Sequence, residues 1–540
     1  MNDNTGLKNF SFLVYDFSSK DNMKGMSLNL YLKTISEVFS KKQTLFLFMG
    51  LYTFRFILAA VIPLGSDEAY YWDWGRDLQL SYYDHPPFVA WISWAGQQLL
   101  PGKSYFEGRI LVPFMHFLTS LNLIFTARQL SKKALTKSQL NLLILAIQIA
   151  PIMNLGGMML MPDSGLMLWL STYFSICSYY LVYNKKVTLL GAIYIGLTAG
   201  LSFTSKYHGI AMVGSSGLYL MFVSKKFRSP IFLLTATFSF MLAASPVLIW
   251  NYLHDFVSLG FQMRHGFAEP SFHLIWGLRL SFAELILCTP LVIFALIKAI
   301  MNHIKNPVVG FLAAGSLPLL MLFFATSFYK EVLPHWPLPC IIMLSPVLTL
   351  YKPAIKTWIF WSNIAYSAMT VGVLSLALGI GSIRNMIPQY LNNRPGALGE
   401  LTLWTQLIPV LDKYKIWHRI DKAAHNDCQK NPLIGSFRWF WVAQLALNAP
   451  TDIKVYSFDQ NHISYYNFRD KDQNLSGCRV ILVGEEAHID MKRLKETVLI
   501  TREESIQAPG HLDRPIKIIW GQLNKNSPTL KHLPHSLSNN

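Results

Sequence analysis

The sequence predicts an all-α polytopic membrane protein with a small α/β or α+β domain at its C-terminal end. Of the 540 residues, 52% are hydrophobic and only 14% are charged. A soluble protein carries about a quarter charged residues, so most of this chain belongs in lipid. Long apolar runs recur from residue 43 to residue 380, and after that the composition becomes polar. The two parts therefore have different solvents.

The apolar runs predict about eleven membrane spans, since a helix needs roughly 20 apolar residues to cross a bilayer. The predicted spans are 43–63, 107–131, 139–157, 164–184, 187–204, 208–224, 230–250, 274–297, 307–327, 337–351 and 357–380. Together they form a predicted transmembrane domain over 43–380, with a first outer loop at 64–106. Three of the five cysteines lie in these runs and are interpreted as packing residues.

Short basic clusters between the spans predict the orientation. If the spans alternate, these clusters share one side of the membrane: 41–42, 131–138, 184–186, 224–228, 298–305 and 351–356. Positively charged loops stay in the cytoplasm, so that side is the inner one. Lys and Arg outnumber Asp and Glu by 47 to 30, but this scattered excess forms no basic stripe of the kind that binds nucleic acid.

The two ends of the chain are predicted to lie on opposite sides of the membrane. Residues 1–42 read as a cytoplasmic segment without the apolar core of a signal peptide, and Met26 is an alternative start. Residues 381–540 read as an extracytoplasmic domain, in which "DIKVYSFDQNHISYYNF" and "CRVILVGEEAHID" predict short strands. Cys428 and Cys478 would then face an oxidising space, where a disulfide and two free thiols are both open alternatives.

The first outer loop opens with the acids and aromatic rings of "SDEAYYWDWGRDLQLSYYDHPP". Asp67 and Glu68 follow the first span at the level of the lipid headgroups. Acids there can simply solvate a helix end, but Tyr71 and its aromatic neighbours form an interfacial segment beside them. A carboxylate held next to a lipid-borne substrate is a candidate general base for an acceptor hydroxyl.

A second cluster, "YDHPP" at 83–87, contains Asp84 and His85 before paired prolines. These side chains are candidates for binding a sugar, a phosphate or a divalent metal ion. No ligand spacing specifies a metal site, and a structural turn explains the pattern equally well.

Asp163, in "MPDSG", lies on the same predicted side as Asp67. A lone acid at the start of a helix is often only a cap. Two carboxylates from different loops would nevertheless be able to face one polar site. Glu284, near the middle of the eighth predicted span, either bonds a neighbouring helix or lines the cavity.

Four cations stand at outer ends of spans, against the inside bias of positive charge. They are Arg55, Arg109, Lys206 and Lys330. Each alone can snorkel towards the headgroups. As a set they are candidates for binding a phosphate leaving group, on which negative charge builds as its bond breaks.

Five motifs in order resemble a known family: "DEAYYWDWGRDLQLSYYDHPPFVAW", "MPDSG", "LSFTSKYHGI", "SPVLIWNYLHDFVSLGFQ" and "HWPLPC". They are similar to motifs of the bacterial membrane glycosyltransferases of the GT-C fold. The nearest group is the dolichyl-phosphate-mannose protein mannosyltransferase-like family, glycosyltransferase family 39, with its aminoarabinose (lipid A) transferase relatives. The resemblance covers roughly residues 43–350.

The resemblance implies roles for individual residues. Asp67 matches the family's catalytic aspartate, with Glu68 beside it, and Asp163 matches the acid of the second outer loop. Further residues are implied in donor phosphate binding (Lys206, Lys330, Arg109, Tyr329) and substrate binding (Tyr71, Asp84, His85, His335). A divalent ion at Asp84 and His85 is a looser match to some relatives, and no other cofactor is implied.

The implied reaction is inverting transfer of a sugar from a polyprenyl-phosphate carrier to a protein, lipid A or envelope glycan at the outer face of a bacterial inner membrane. One alternative is a secondary transporter or flippase-like protein for a lipid-linked or anionic substrate, although such proteins place their ionisable groups near the bilayer midplane. Another is a scaffold whose outer domain binds a partner, which would leave the acids and cations without a role.

Overall fold

The protein is described here by a computed structural model that covers residues 25–102, 105–266, 271–353, 356–379, 397–417, 428, 430–450, 453–459, 462–470, 474–507 and 515–524. The alternative start at Met26 concerns a segment whose residues before 25 lie outside this range. The described part is mostly helical, and its first half begins with α1 (Gly25–Phe39), α2 (Lys42–Val61), α3 (Ser66–Trp74), α4 (Phe88–Leu99), α5 (Tyr105–Arg109), α6 (Leu111–Ser131), α7 (Lys137–Ile144), α8 (Pro151–Gly156), α9 (Pro162–Val182), α10 (Leu189–Ser205) and α11 (His208–Val223).

The apolar part continues through α12 (Pro230–Leu253), α13 (Val257–Gly266), α14 (Leu274–Leu287), α15 (Pro290–His303), α16 (Pro307–Thr326), α17 (Leu338–Met343) and α18 (Thr357–Gly379). Among the described residues, five helices are long and apolar enough to cross a membrane, or six if α14 and α15 count as one bent span. Every predicted span falls on helical structure, but the count of about eleven is not established by helix length and composition.

The eighth predicted span, 274–297, is not one continuous helix. Helices α14 and α15 meet at an angle of 97°. Thr289, between them, has a φ of 65°, in the left-handed region that β-branched residues avoid. Pro290 disfavours helical geometry in the residue before it and lacks the N–H that would continue the helix. The Thr-Pro pair therefore breaks the apolar run that the sequence analysis treated as a single span.

Helix α1 lies in the segment for which the sequence predicted no element. Its side chains are tied to α6, where Tyr31 donates a hydrogen bond to Asn122 at 3.2 Å and Arg128 pairs with Glu37 at 3.2 Å. Unlike a free cytoplasmic tail, this helix packs on the bundle.

The polar C-terminal part contains helix α19 (Ala397–Lys413) and a five-stranded mixed sheet. The remaining elements are β1 (Leu433–Ser436), α20 (Trp439–Asn448), β2 (Val455–Ser457), α21 (Tyr465–Arg469), β3 (Arg479–Glu485), α22 (Met491–Thr497), β4 (Val498–Gln507) and β5 (Pro515–Leu523). The strand order is β2-β1-β3-β5-β4, with β1 parallel to β2 and β3 and the other pairs antiparallel. Strand β3 confirms the prediction from "CRVILVGEEAHID". The end of the other predicted stretch, "ISYYNF", is wrong as a strand because it forms α21.

The sheet part docks on the first loop through a buried aromatic cluster. Tyr70 lies 4.7 Å from Trp439 between ring centroids, and Trp74 stacks on Tyr82 at 4.1 Å. The ring of Tyr465 lies 5.3 Å from that of Tyr82. Buried aromatic pairs of this kind add to the free energy of burying their area. The docking thus fixes α3, which carries the predicted acids, against the C-terminal part.

Cys428 and Cys478 form a disulfide, which resolves the alternative that the sequence left open. Replacing both cysteines with serine should destabilise the C-terminal part by about 2–4 kcal/mol, because the unfolded chain regains the entropy of a closed loop. Thermal unfolding of the detergent-solubilised protein measures this as a lower melting temperature. A reductant should lower the melting temperature of the natural chain and leave the double variant unchanged. Equal melting temperatures without reductant would contradict the prediction.

Candidate active site

Helix α3 presents its two first-turn acids to opposite environments. Asp67 is exposed, whereas Glu68 is buried with 1% of its surface accessible. Both carboxylates lie near the positive end of the helix dipole, which favours negative charge there. Neighbouring positions on a helix point about 100° apart, so the same turn can send one acid to the rim and the other into the core.

Glu68 forms a buried ion pair with Arg109. Arg109 Nε donates to Glu68 Oε1 at 2.7 Å, and its Nη2 also bonds Oε2. The remaining guanidinium N–H groups bond the carbonyls of Ala59, Ile62 and Pro63 at the end of α2. Glu68 Oε1 further accepts the N–H of Leu160 at 2.8 Å. This pair joins four segments of the chain.

The geometry does not support the roles predicted for these two residues. Arg109 is 1% exposed and its N–H groups are engaged by carboxylate and carbonyl oxygens, so a donor phosphate would have to displace them. Glu68 is also 1% exposed, and both of its carboxylate oxygens accept hydrogen bonds from Arg109. The pair holds α3 in place, and the catalytic role of Glu68 and the donor-binding role of Arg109 stay predictions. Position near a span end does not reveal which side chain has a buried partner.

Replacing Arg109 with methionine should destabilise the protein by about 3–5 kcal/mol, because the carboxylate of Glu68 would stay buried without its cation. Thermal unfolding measures the loss. The double variant Glu68→Leu, Arg109→Met should recover much of it, since well-packed apolar groups can replace a buried pair. If Arg109→Met unfolded like the natural chain but raised the KM for donor, Arg109 would be the phosphate ligand that the sequence predicted.

Asp163 and Lys206 form the second buried pair of the region. Asp163 lies in the first turn of α9, and Lys206 directly follows α10. Lys206 Nζ donates to both carboxylate oxygens, at 2.8 and 2.9 Å. An ammonium has three N–H donors, so Asp163 takes two of them. The structure therefore brings together an acid and a cation that the sequence predicted on separate loops.

The charges of three acids act on the phenol of Tyr71. Burial raises the pKa of Tyr71 well above its usual value, and the charges of Asp67, Asp84 and Asp163 raise it further. Each of these acids comes from a different segment: α3, the loop before α4, and α9. Tyr71 itself is buried. The predicted residues Asp67, Tyr71, Asp84 and Asp163 thus share one electrostatic environment.

Asp84 titrates in the neutral range. Burial raises its pKa to about 7, the hydrogen bond from the Tyr70 hydroxyl lowers it, and the charge of Asp67 raises it. Asp84 therefore retains a proton part of the time at neutral pH.

Two histidines, His85 and His335, lie near the Asp163–Lys206 pair and are neutral at pH 7. Burial lowers the pKa of His85 to about 3, Lys206 lowers it further, and Asp163 opposes the shift. Burial also lowers the pKa of His335 to about 4. The charge of Asp163 raises this pKa, and the charge of Lys206 lowers it. A neutral imidazole both donates and accepts a hydrogen bond, which suits sugar hydroxyls and phosphate oxygens.

His208 belongs to this group, although the sequence analysis did not select it. Its charge lowers the pKa of His85, and it stands two residues after Lys206 at the start of α11. The sequence "SKYHG" could have indicated this, because it contains a histidine close to Lys206 in a short polar stretch between two apolar runs. Tyr70, which donates to Asp84, lies in the predicted interfacial aromatic segment, whose pattern does not reveal this hydrogen bond.

Tyr329 and Lys330, which were predicted to bind the donor phosphate, lie in the loop that follows α16. Tyr329 packs on Phe272 at 5.8 Å between ring centroids, and burial lowers the pKa of neighbouring Lys330. Their contact with a donor phosphate stays a prediction.

Arg55 is buried and donates to the side-chain and backbone oxygens of Gln148 at 2.6 and 2.9 Å. Glu284 is buried near the α14–α15 bend and accepts a bond from Cys288 at 3.4 Å.

The described residues near Asp84 and His85 do not fit a metal centre. Among the described residues, no group of three or more His, Cys, Asp or Glu side chains is arranged to hold an ion. Asp84 and His85 alone would supply fewer ligands than a protein metal centre ordinarily has.

Comparison with known proteins identifies the fold. Residues 84–250 match the family model described as dolichyl-phosphate-mannose-protein mannosyltransferase. The chain is 25% identical over 309 residues to the lipid A galacturonosyltransferase RgtD of Rhizobium johnstonii, and the match covers 56% of this chain and 59% of that protein. The matched part thus spans less than two thirds of that relative's length.

The solved structures of ArnT from Cupriavidus metallidurans share the architecture. The apo form matches with a TM-score of 0.59 at 12% identity, covering 89% of this chain and 98% of that one. The form bound to undecaprenyl phosphate matches with a TM-score of 0.56 at the same identity and coverage. The chain therefore has the GT-C fold, as the sequence motifs predicted, and its sequence is similar to that of a lipid A galacturonosyltransferase.

Proposed function

We propose that this chain, a GT-C fold glycosyltransferase related to the lipid A transferases, moves a sugar from a polyprenyl-phosphate carrier to an envelope acceptor at the outer face of a bacterial inner membrane. The observation that carries the proposal is the buried Asp163–Lys206 pair, with Asp67 and Asp84 near enough for their charges to raise the pKa of the same tyrosine, Tyr71, as Asp163 does. That arrangement places carboxylates and a cation around one small region at the end of an apolar bundle.

In the proposed reaction Asp67 is the general base. It accepts the proton of an acceptor hydroxyl, whose oxygen attacks C1 of the sugar while the bond from C1 to the phosphate oxygen breaks. Polyprenyl phosphate leaves with the bonding electrons, and the anomeric centre is inverted. A general base contributes about 10²–10⁴-fold to such a rate. Asp67 is exposed, so an acceptor can reach its carboxylate.

Lys206 stabilises the leaving phosphate. Asp163 occupies two of its three N–H donors in the contacts described above, so one remains for a phosphate oxygen. Asp163 orients the ammonium and offsets its charge when no donor is bound. Neutral His85 and His335 supply hydrogen bonds to the same phosphate or to the sugar, and Asp84 bonds a hydroxyl next to Asp67. The phosphate is already a good leaving group, so charge stabilisation serves in place of a strong acid.

Relatives favour lipid A as the first acceptor to test and a polyprenyl phosphate as the carrier. RgtD is named for galacturonosyl transfer to lipid A, and ArnT has been solved with undecaprenyl phosphate. The apolar helices would hold the carrier's prenyl tail in the bilayer. The family model and RgtD are both named for glycosyl transfer, and neither supports the alternative of a secondary transporter or flippase-like protein.

The decisive experiment supplies the purified protein in lipid with candidate polyprenyl-phosphate sugars, lipid A and extracted envelope fractions. Mass spectrometry should find one acceptor whose mass increases by one glycosyl residue and an equal release of polyprenyl phosphate. Movement of the donor across proteoliposomes without a new covalent product would overturn the proposal in favour of the transporter alternative.

A further inference from the structure

The hydroxyl of Tyr70 bridges the C-terminal part of the chain and the acid group. The backbone N–H of Tyr465, at the start of α21, lies 2.7 Å from that hydroxyl oxygen. The same oxygen lies 2.6 Å from Asp84 Oδ2. Tyr70 is 3% exposed, so bulk water does not compete for either bond.

The direction of the proton in this bridge follows from the chemistry of its ends. A backbone N–H can only donate, so the Tyr70 oxygen is the acceptor of the first bond. A phenol has a single proton, which is then directed at Asp84. The bridge therefore delivers a hydrogen-bond donor to Asp84 Oδ2, and the C-terminal part sets its orientation.

The bridge is rigid because both of its ends are fixed. The ring of Tyr70 packs on Trp439 and lies 5.5 Å from Tyr466 between centroids. The hydroxyl of Tyr465 donates to Asp77 in the first loop, and Arg469 pairs with Asp73 at 3.5 Å.

The residue that receives the bond is held from a second side. Gln262 Nε2, in α13, donates to the backbone carbonyl of Asp84 at 2.6 Å. The main chain of Asp84 is thus held by the bundle, and its carboxylate is held by Tyr70. The two contacts come from different parts of the molecule.

We propose that the C-terminal part is a component of the active site, because it orients the carboxylate of Asp84 through Tyr70. Tyr70 is a positioning residue, since it acts through Asp84 and does not itself touch the reacting atoms. This inference rests on the proposed function only for its kinetic consequence. The hydrogen-bond bridge from Tyr465 through Tyr70 to Asp84 can be tested without any substrate.

The first test is kinetic and uses Tyr70→Phe, which removes the hydroxyl and keeps the ring. We expect kcat to fall about 10-fold to 100-fold, because an oriented bond to a charged group is lost. The KM for donor should change less than about 3-fold, since the cation of Lys206 is untouched. A variant that only loosened the fold would lower the amount of active protein and would not produce this split.

The matched control is Tyr82→Phe. Tyr82 is also fully buried in the same aromatic cluster, and its hydroxyl bonds the backbone groups of Trp74, Asp77 and Gln79 but not Asp84. It should lose stability much as Tyr70→Phe does while keeping kcat. Equal kcat values for the two variants would overturn the proposal.

The second test is a double-mutant cycle of Tyr70→Phe with Asp84→Asn, read by thermal unfolding and by kcat. Removing the hydroxyl should have less effect once the carboxylate is gone, so the two effects should fall short of additivity. The melting temperatures of the four proteins in the cycle test the hydrogen-bond bridge even if the protein uses none of the tested donors. Failure of the bridge can therefore be distinguished from failure of the proposed function. Fully additive losses in melting temperature would show that Tyr70 and Asp84 do not act together.

Discussion

Replacing Asp67 with asparagine should slow sugar transfer severely, with kcat lowered by about 10²–10⁴-fold. The amide cannot accept the proton of the acceptor hydroxyl, and general-base catalysis accounts for an effect of that size. The expected loss in the free energy of unfolding is at most about 1 kcal/mol, because Asp67 is exposed and a charge in the first turn of a helix is only modestly stabilised. Single-turnover transfer with the donor preloaded separates this loss of chemistry from a loss of donor binding.

A matched control is Asp255→Asn. Asp255 is also an exposed acid, it follows α12, and its φ of 53° lies in the left-handed region that asparagine tolerates well. This variant should transfer sugar at the natural rate. Full activity of Asp67→Asn would remove Asp67 as the base and direct attention to Asp84, whose pKa near 7 also suits proton transfer.

Replacing Lys206 with methionine should raise the KM for donor by about 10-fold to 100-fold, because a hydrogen bond from a charged group to the phosphate is lost. The KM for acceptor should change much less. The same substitution leaves Asp163 buried without its cation, which should cost about 3–5 kcal/mol of stability. Donor titrations and thermal unfolding of the same preparation measure the two effects separately.

The double variant Asp163→Asn, Lys206→Met distinguishes the two consequences. It removes both charges, so most of the stability should return. Donor use should stay impaired, because the cation is still missing. If donor use returned together with stability, Lys206 would be a structural partner of Asp163 and not a phosphate ligand.

Several features of the site could be read from the residues alone. The order of the motifs identified the GT-C fold, which the matches to the family model and to ArnT confirm. The hypothesis that Asp67 and Asp163 face one polar site depends on their predicted placement on one side of the membrane, and it stays a prediction. The charges of both acids, together with that of Asp84, raise the pKa of Tyr71.

Other features depended on partners far away in the chain. Position near span ends predicts catalysis for Glu68 and donor binding for Arg109, whereas the two side chains bond each other across 41 positions. Hydropathy predicts one span over 274–297, although the Thr289–Pro290 step bends it. The pattern that ends in "ISYYNF" predicts strands and turns, but its end forms α21, which presents the N–H of Tyr465 to Tyr70.

By itself the sequence determined that this is a helical membrane protein with acids and cations gathered at span ends, because hydropathy and charge act residue by residue. Only the tertiary structure decided which of those charged groups face the site and which neutralise each other in the core. The physical reason is that a buried charge must find a partner, and the identity of that partner depends on packing between segments that are distant in the chain.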